Sequence, residues 1–146
     1  MLGVGVIGFG TIGTGVVRLL REHAGGLGTR VGVPLRLVRV ADLDTRSKRG
    51  VKLARGVLIR DAYRLIADPA VDIVVELVGG IEPARSFILE AIRAGKSVVT
   101  ANKALLSVHG SELAAAAEKN GVAFGFEAAV GGGIPIVRTL RESLVG

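Results

Sequence analysis

Six residues near the start of the chain, Gly8-Phe9-Gly10-Thr11-Ile12-Gly13, restrict what it can fold into more than any other stretch. An apolar run of strand type over residues 2–7 leads into them. A helical pattern over residues 12–23 leads out, with Ile12, Val16, Leu19, Leu20 and His23 on one face. In a chain with 22 glycines the spacing alone is weak, and the strand–turn–helix context gives it meaning. Gly8 allows a tight turn out of the strand. Gly10 keeps side-chain bulk away from a pyrophosphate, and Gly13 lets the helix approach the strand closely. The helix N-terminus then offers unpaired N–H groups and a partial positive charge to phosphates.

The rest of the chain reads as alternating strands and helices. A glycine-rich stretch over residues 24–34 predicts a loop. Residues 35–40 form a second strand that ends at Ala41-Asp42, and residues 56–59 form a short third. Asp61 N-caps a short helix that stops at Asp68-Pro69. Residues 72–77 form a fourth strand with an exit turn at Val78-Gly79-Gly80. Pro83 opens a helix to about Ala94, with Phe87, Ile88, Ala91 and Ile92 inward. Residues 97–100 are the fifth strand, followed by the turn Ala101-Asn102-Lys103. A helix is expected over residues 111–119, a sixth strand over 122–126, and a last helix from Pro135 through Leu144. This alternation predicts an α/β fold, a doubly wound parallel sheet of about six strands in the Rossmann order 3-2-1-4-5-6. Ligands in such sheets lie beyond the carboxyl ends of the strands.

The composition narrows the function. Apolar residues make up 49% and aromatics 3%, an aliphatic core suited to buried parallel strands. The absence of cysteine excludes disulfides, thiolate metal sites and a cysteine nucleophile. No apolar run approaches the ~18 residues of a membrane span. No basic segment precedes the first apolar run, so no signal peptide and no membrane partner are expected, and the cytoplasm is the default location. The net charge is +6, yet the cations are scattered, apart from Arg46, Lys48, Arg49, Lys52 and Arg55. No basic helix face interleaved with aromatics points to nucleic acid. That cluster is either a solvated surface or a patch for cofactor phosphates.

Individual residues carry two readings each. Asp42 ends the second strand, where a carboxylate accepts hydrogen bonds from the adenosine ribose, although it lies further along than the usual spacing of about 20 residues. Arg46, Lys48 and Arg49 suit a 2′-phosphate instead, which leaves NAD against NADP open. Lys103, after the fifth strand, is placed to meet a carbonyl oxygen that gains charge during hydride transfer; taken alone, a lysine in a turn is more often solvated. Glu127 beside Gly131-Gly132-Gly133 offers oxygen ligands for a hard cation, against the plainer reading of a glycine-rich hinge. His23, at the end of the first helix, and His109 are too far apart in sequence to suggest a metal pair.

Four segments occur in order: Gly8 to Gly13, then Val75-Glu76-Leu77-Val78-Gly79-Gly80, then Val98-Val99-Thr100-Ala101-Asn102-Lys103-Ala104-Leu105-Leu106, then Phe126-Glu127-Ala128-Ala129-Val130-Gly131-Gly132-Gly133-Ile134-Pro135. Together they closely resemble homoserine dehydrogenase, essentially over the whole chain. The resemblance implies interconversion of L-homoserine and L-aspartate 4-semialdehyde with NAD(P), in threonine, methionine and isoleucine biosynthesis. It implies that Phe9, Thr11 and Ile12 line the cofactor phosphates and ribose, and that Val78 and Gly79 border the nicotinamide side. Lys103 matches the family lysine next to cofactor and substrate. Glu127 matches a sodium-site carboxylate, with carbonyl partners from Val130, Gly132 and Ile134. Members of the family continue into a substrate and dimerisation domain, so the chain is expected to be the cofactor domain alone. On that expectation it binds cofactor without turnover, and the small-molecule substrate and a homo-oligomeric state belong to the full-length form. A non-catalytic dinucleotide-sensing module and a different semialdehyde or sugar dehydrogenase of the same fold remain competing readings.

Overall fold

The computed structural model describes residues 1–143. Leu144, where the sequence ends the last helix, lies outside the described residues. The elements run β1 (Leu2–Ile7), α1 (Thr11–Glu22), α2 (Ala24–Val31), β2 (Leu35–Ala41), β3 (Leu58–Ile59), α3 (Ala62–Ile66), β4 (Ile73–Glu76), α4 (Ala84–Arg93), β5 (Ser97–Thr100), α5 (Lys103–Lys119), β6 (Phe124–Gly125), a 3₁₀ turn (Glu127–Ala129) and α6 (Ile136–Glu142). The six strands pair in parallel in the order β3-β2-β1-β4-β5-β6, the expected order.

Side chains on a strand alternate between faces, so β1 feeds two cores. Val4 and Val6 join Phe9, Val17, Leu20 and Val40 on the face covered by α1 and α2. Ile7 joins Leu65, Ile66, Ile88, Ile92, Leu105 and Leu113 on the face covered by α3, α4 and α5. Asp61 caps α3 as expected, its carboxylate accepting from the N–H groups of Tyr63 and Arg64. No helix among the described residues is long and apolar enough to cross a membrane.

Three local expectations need correction. The buried face of α1 is Gly13, Val17 and Leu20, while Ile12 and Leu19 are exposed and His23 caps the helix end in solvent. The apolar residues of that stretch fill more than one stripe, and the close approach required at Gly13 selects which stripe turns inward. The expected loop at residues 24–34 contains α2 despite its glycines. Leu27 packs into the α1-side core, and Thr29 Oγ1 donates to the Gly25 carbonyl at 3.1 Å, so tertiary contact overrides weak propensity. The helix expected from residue 111 begins at Lys103. Asn102 Oδ1 accepts from the Leu105 N–H at 3.1 Å, and buried Leu105, Leu113 and Ala117 carry the helix through Gly110, an interior glycine that costs about 1 kcal/mol.

Candidate dinucleotide-binding site

The turn between β1 and α1 is built by two glycines that admit no substitute. Gly8 has φ +99°, a conformation that L side chains rarely adopt. A Cβ on Gly13 would fall well inside van der Waals contact of the Gly8 carbonyl oxygen and 2.9 Å from its carbon. Gly10 is different. Its φ of −71° suits any residue, and a Cβ there would meet no heavy atom within 4 Å. The fold does not require this glycine, and the space over it is open at the end of a helix whose first turn has no side-chain cap. Thr11 and Ile12 are exposed in that first turn, and the first N–H groups of α1 have no partner within the helix.

A cleft of about 560 Å³ runs along the carboxyl edge of the sheet from this turn. Gly8, Gly10, Asp42 and Val78 line it, with Tyr63 and Phe87 toward one end. An apolar cleft beside a helix N-terminus that has no side-chain cap has the character of a dinucleotide site.

Asp42 is engaged within the protein. Its Oδ2 accepts from the Phe9 N–H at 2.6 Å, and its Oδ1 accepts from the Asp44 N–H at 2.8 Å. Arg49 Nη2 lies 3.4 Å from both Asp42 Oδ1 and Asp44 Oδ2, with the guanidinium 5.0 Å over the Phe9 ring. The Ser47 hydroxyl, then the Ser47 and Arg46 N–H groups, hold the Asp44 carboxyl at about 2, so it remains charged beside Arg49 at neutral pH. Asp42 thus ties the glycine turn to the end of β2 as well as facing the cleft. Phe9 turns its ring into the α1-side core, 2% exposed, so any contact it makes with phosphate or ribose is through its backbone. Arg46 and Lys48 are exposed.

On the other side of the turn, Val78 and Gly79 are held by a residue that the sequence reading did not single out. Glu76, the last residue of β4, is 0% exposed. Its Oε1 accepts from Val78 N–H at 2.7 Å and Gly79 N–H at 3.4 Å, and its Oε2 accepts from the Thr100 hydroxyl at 2.7 Å. Thr100 Oγ1 accepts from the Asn102 N–H at 3.1 Å, and Asn102 Nδ2 donates to the Gly80 carbonyl at 2.6 Å. The turns after β4 and β5 are therefore one bonded unit. A charged residue closing an otherwise apolar buried strand is the sequence signal for it.

Lys103, placed by the sequence in a turn, is the first residue of α5 and is exposed. It lines a separate groove of about 550 Å³ with Leu106, Phe124, Phe126 and Val130 rather than the cleft that holds Gly10 and Asp42. Glu127 is also engaged. Its carboxylate accepts from the N–H groups of Val137 at 3.0 Å and Arg138 at 3.1 Å, capping α6, and the Ile134 carbonyl accepts from the Ile136 N–H at 2.8 Å. Among the described residues no three His, Cys, Asp or Glu side chains gather as for a metal. What the chain builds around Glu127, Val130, Gly132 and Ile134 is a helix cap with one of the three carbonyls already in use.

Residues 8–127 match the family model of the homoserine dehydrogenase NAD-binding domain. The chain is 47% identical over 141 residues to the homoserine dehydrogenase of Bacillus subtilis, an alignment covering 97% of this chain and 33% of that protein. The crystal structure of a homoserine dehydrogenase from Thiobacillus denitrificans superposes with a TM-score of 0.89 at 46% identity, over 98% of this chain and 33% of that one. A hyperthermophilic archaeal homoserine dehydrogenase in complex with NADPH superposes with a TM-score of 0.80 at 25% identity, over 99% of this chain and 49% of that one. The chain thus spans about a third of the length of the curated relatives it matches. With its glycine turn, sheet order and carboxyl-edge cleft, and with this likeness over nearly all its residues, the chain belongs to the homoserine dehydrogenase family and corresponds to its NAD-binding domain.

Proposed function

We propose that this chain is the cofactor-holding part of an enzyme that interconverts L-homoserine and L-aspartate 4-semialdehyde. The observation that carries this reading is Gly10, a glycine the fold does not need, lining the carboxyl-edge cleft at an uncapped helix N-terminus. In the longer protein NAD(P) supplies the hydride acceptor. The residues of this chain bind and orient it: the N–H groups of the Gly10 to Gly13 turn take the pyrophosphate, Asp42 faces the adenosine ribose, and Val78 and Gly79 border the nicotinamide. Lys103, on the same carboxyl edge, presents an ammonium for the substrate oxygen. A sodium ion at Glu127 would share the carboxylate with the N–H groups of Val137 and Arg138, with the Val130 and Gly132 carbonyls as further oxygen ligands. The substrate is a small molecule, and homo-oligomerisation and a cytoplasmic location belong to the longer protein.

Turnover requires the substrate carbon to be held against the nicotinamide, and most of the advantage comes from that positioning. One exposed ammonium supplies little of it. The 146-residue chain is therefore expected to bind NAD(P)H and to form none from homoserine and NAD(P), while a protein extended to the length of its relatives does. A coupled assay of both, side by side, checks this; robust homoserine-dependent reduction by the short chain contradicts it.

The adenosine end gives a second expectation. Asp42→Asn removes the charge that repels a 2′-phosphate and keeps an oxygen for the Phe9 N–H. The ratio of NADPH to NADH affinity is expected to rise about tenfold, with a lower melting temperature because the new amide NH2 faces the Asp44 N–H and Arg49. Fluorescence titration with both cofactors reads the ratio, and an unchanged ratio counts against Asp42 at the ribose.

A further inference from the structure

We propose that Glu76 is a positioning residue for the nicotinamide half of the cofactor, acting through Thr100 and Asn102 to hold the turns after β4 and β5 as one platform. The proposal rests on the dinucleotide reading above.

The sheet divides at β1 into two mononucleotide halves, and the adenosine half lies over the ends of β1 and β2 beside Asp42. The other half must then cross the ends of β4 and β5. Here the backbone is a run of small residues, Val78-Gly79-Gly80, which by itself has many conformations. The structure restrains it from below. Glu76 stands in register with Ile7 on one side and Thr100 on the other, at the centre of the carboxyl edge. Its oxygens accept only from the turn after β4 and from Thr100 at the end of β5, and none of the ion pairs among the described residues involves it.

A fully buried carboxylate is an expensive way to tie down a loop, and an apolar residue would fill the space more cheaply. What a carboxylate provides is acceptor capacity without donors, four lone-pair sites in a fixed plane. Two N–H groups from one turn and a hydroxyl from the other need just such a partner. The Thr100 hydroxyl passes the link on, donating to Glu76 and accepting from Asn102, whose side chain returns to the Gly80 carbonyl and also caps the helix that begins with Lys103. The ring of bonds closes through both turns, so their spacing is set by Glu76.

The test separates the two halves of the ligand. NADH spans both, and ADP-ribose occupies only the adenosine half. The same pair is run with NADPH and 2′-phospho-ADP-ribose. Thr100→Val keeps the shape of the buried side chain but cuts the link, leaving Glu76 Oε2 and the Asn102 N–H without partners. In the 146-residue chain NADH is expected to bind about tenfold more weakly to this variant, with ADP-ribose affinity within about twofold of the parent. Thr100→Ser restores the hydroxyl and is expected to restore NADH binding. Glu76→Gln can still reach Thr100 by donating its amide to the hydroxyl oxygen, and is expected to lose less NADH affinity than Thr100→Val. Equal losses for both ligands would reveal general destabilisation and overturn the proposal. So would a Thr100→Val chain that binds NADH normally, or a parent chain that binds NADH no tighter than ADP-ribose. A parent chain that binds none of these ligands would overturn the dinucleotide reading itself.

Discussion

Gly10→Val is expected to leave the protein folded and to weaken dinucleotide binding by more than about a hundredfold. The two halves of this expectation come from one position. The backbone at Gly10, with φ −71° and ψ −157°, is open to a β-branched residue, and a Cβ there touches nothing. The same open space is where the pyrophosphate must come to reach the first N–H groups of α1. Two methyl groups in it remove those charge-assisted hydrogen bonds, each worth about 1.5–3 kcal/mol, and the contacts that follow them. Circular dichroism and a melting curve check the fold, and fluorescence titration with NADH and NADPH checks the binding. A folded variant with parent affinity would remove the pyrophosphate from this turn.

Gly13→Ala has the opposite character. The added methyl would run into the Gly8 carbonyl, which is backbone, at a residue whose Cα lies close to the backbone of Leu77 and Val78. Either α1 moves away from β1 or the turn opens. Both moves disturb the α1-side core that Val17 and Leu20 fill. Overpacking of this kind costs about 3 kcal/mol or more. The variant is expected to lose a large part of the stability of a domain this size, read as a lower midpoint in urea denaturation, with binding lost only as folding is lost. A variant as stable as the parent would mean that helix and strand do not approach as described. Gly10 and Gly13 carry the same letter in the sequence, one kept free for a ligand and the other required by the fold.

Much of this was legible in the amino-acid sequence. The strand order and the glycine turn follow from local signals: a short apolar run, a turn, a helical pattern, repeated. Asp42 at the end of β2 and the cap at Asp61 belong to the same class. The parts that were not legible depend on distant partners. The glycine-rich stretch of α2 forms a helix because Leu27 finds the α1-side core, a contact no local window contains. The early start of α5 depends on Asn102, whose neighbours in sequence suggest a turn and whose side-chain Oδ1 caps the helix. Glu76 lay inside a recognised motif, yet its role appears only when β4 and β5 stand side by side and Thr100 comes within 2.7 Å. Glu127 gains a second role in the fold. The carboxylate beside three glycines is consistent with an ion site, and in the fold its oxygens meet the first N–H groups of α6.

The most direct test of the central claim is a two-dimensional ¹H–¹⁵N NMR titration of the 146-residue chain with NADPH and NADH. It reports every backbone N–H at once and needs no turnover. The expected result is saturable shifts centred on residues 8–13, extending to Asp42 and Leu43 on one side and to residues 78–80 on the other. The amides of α2 and of the outer face of α4 should stay still. Shifts that avoid the Gly10 to Gly13 turn, or that centre on another surface, would contradict the account.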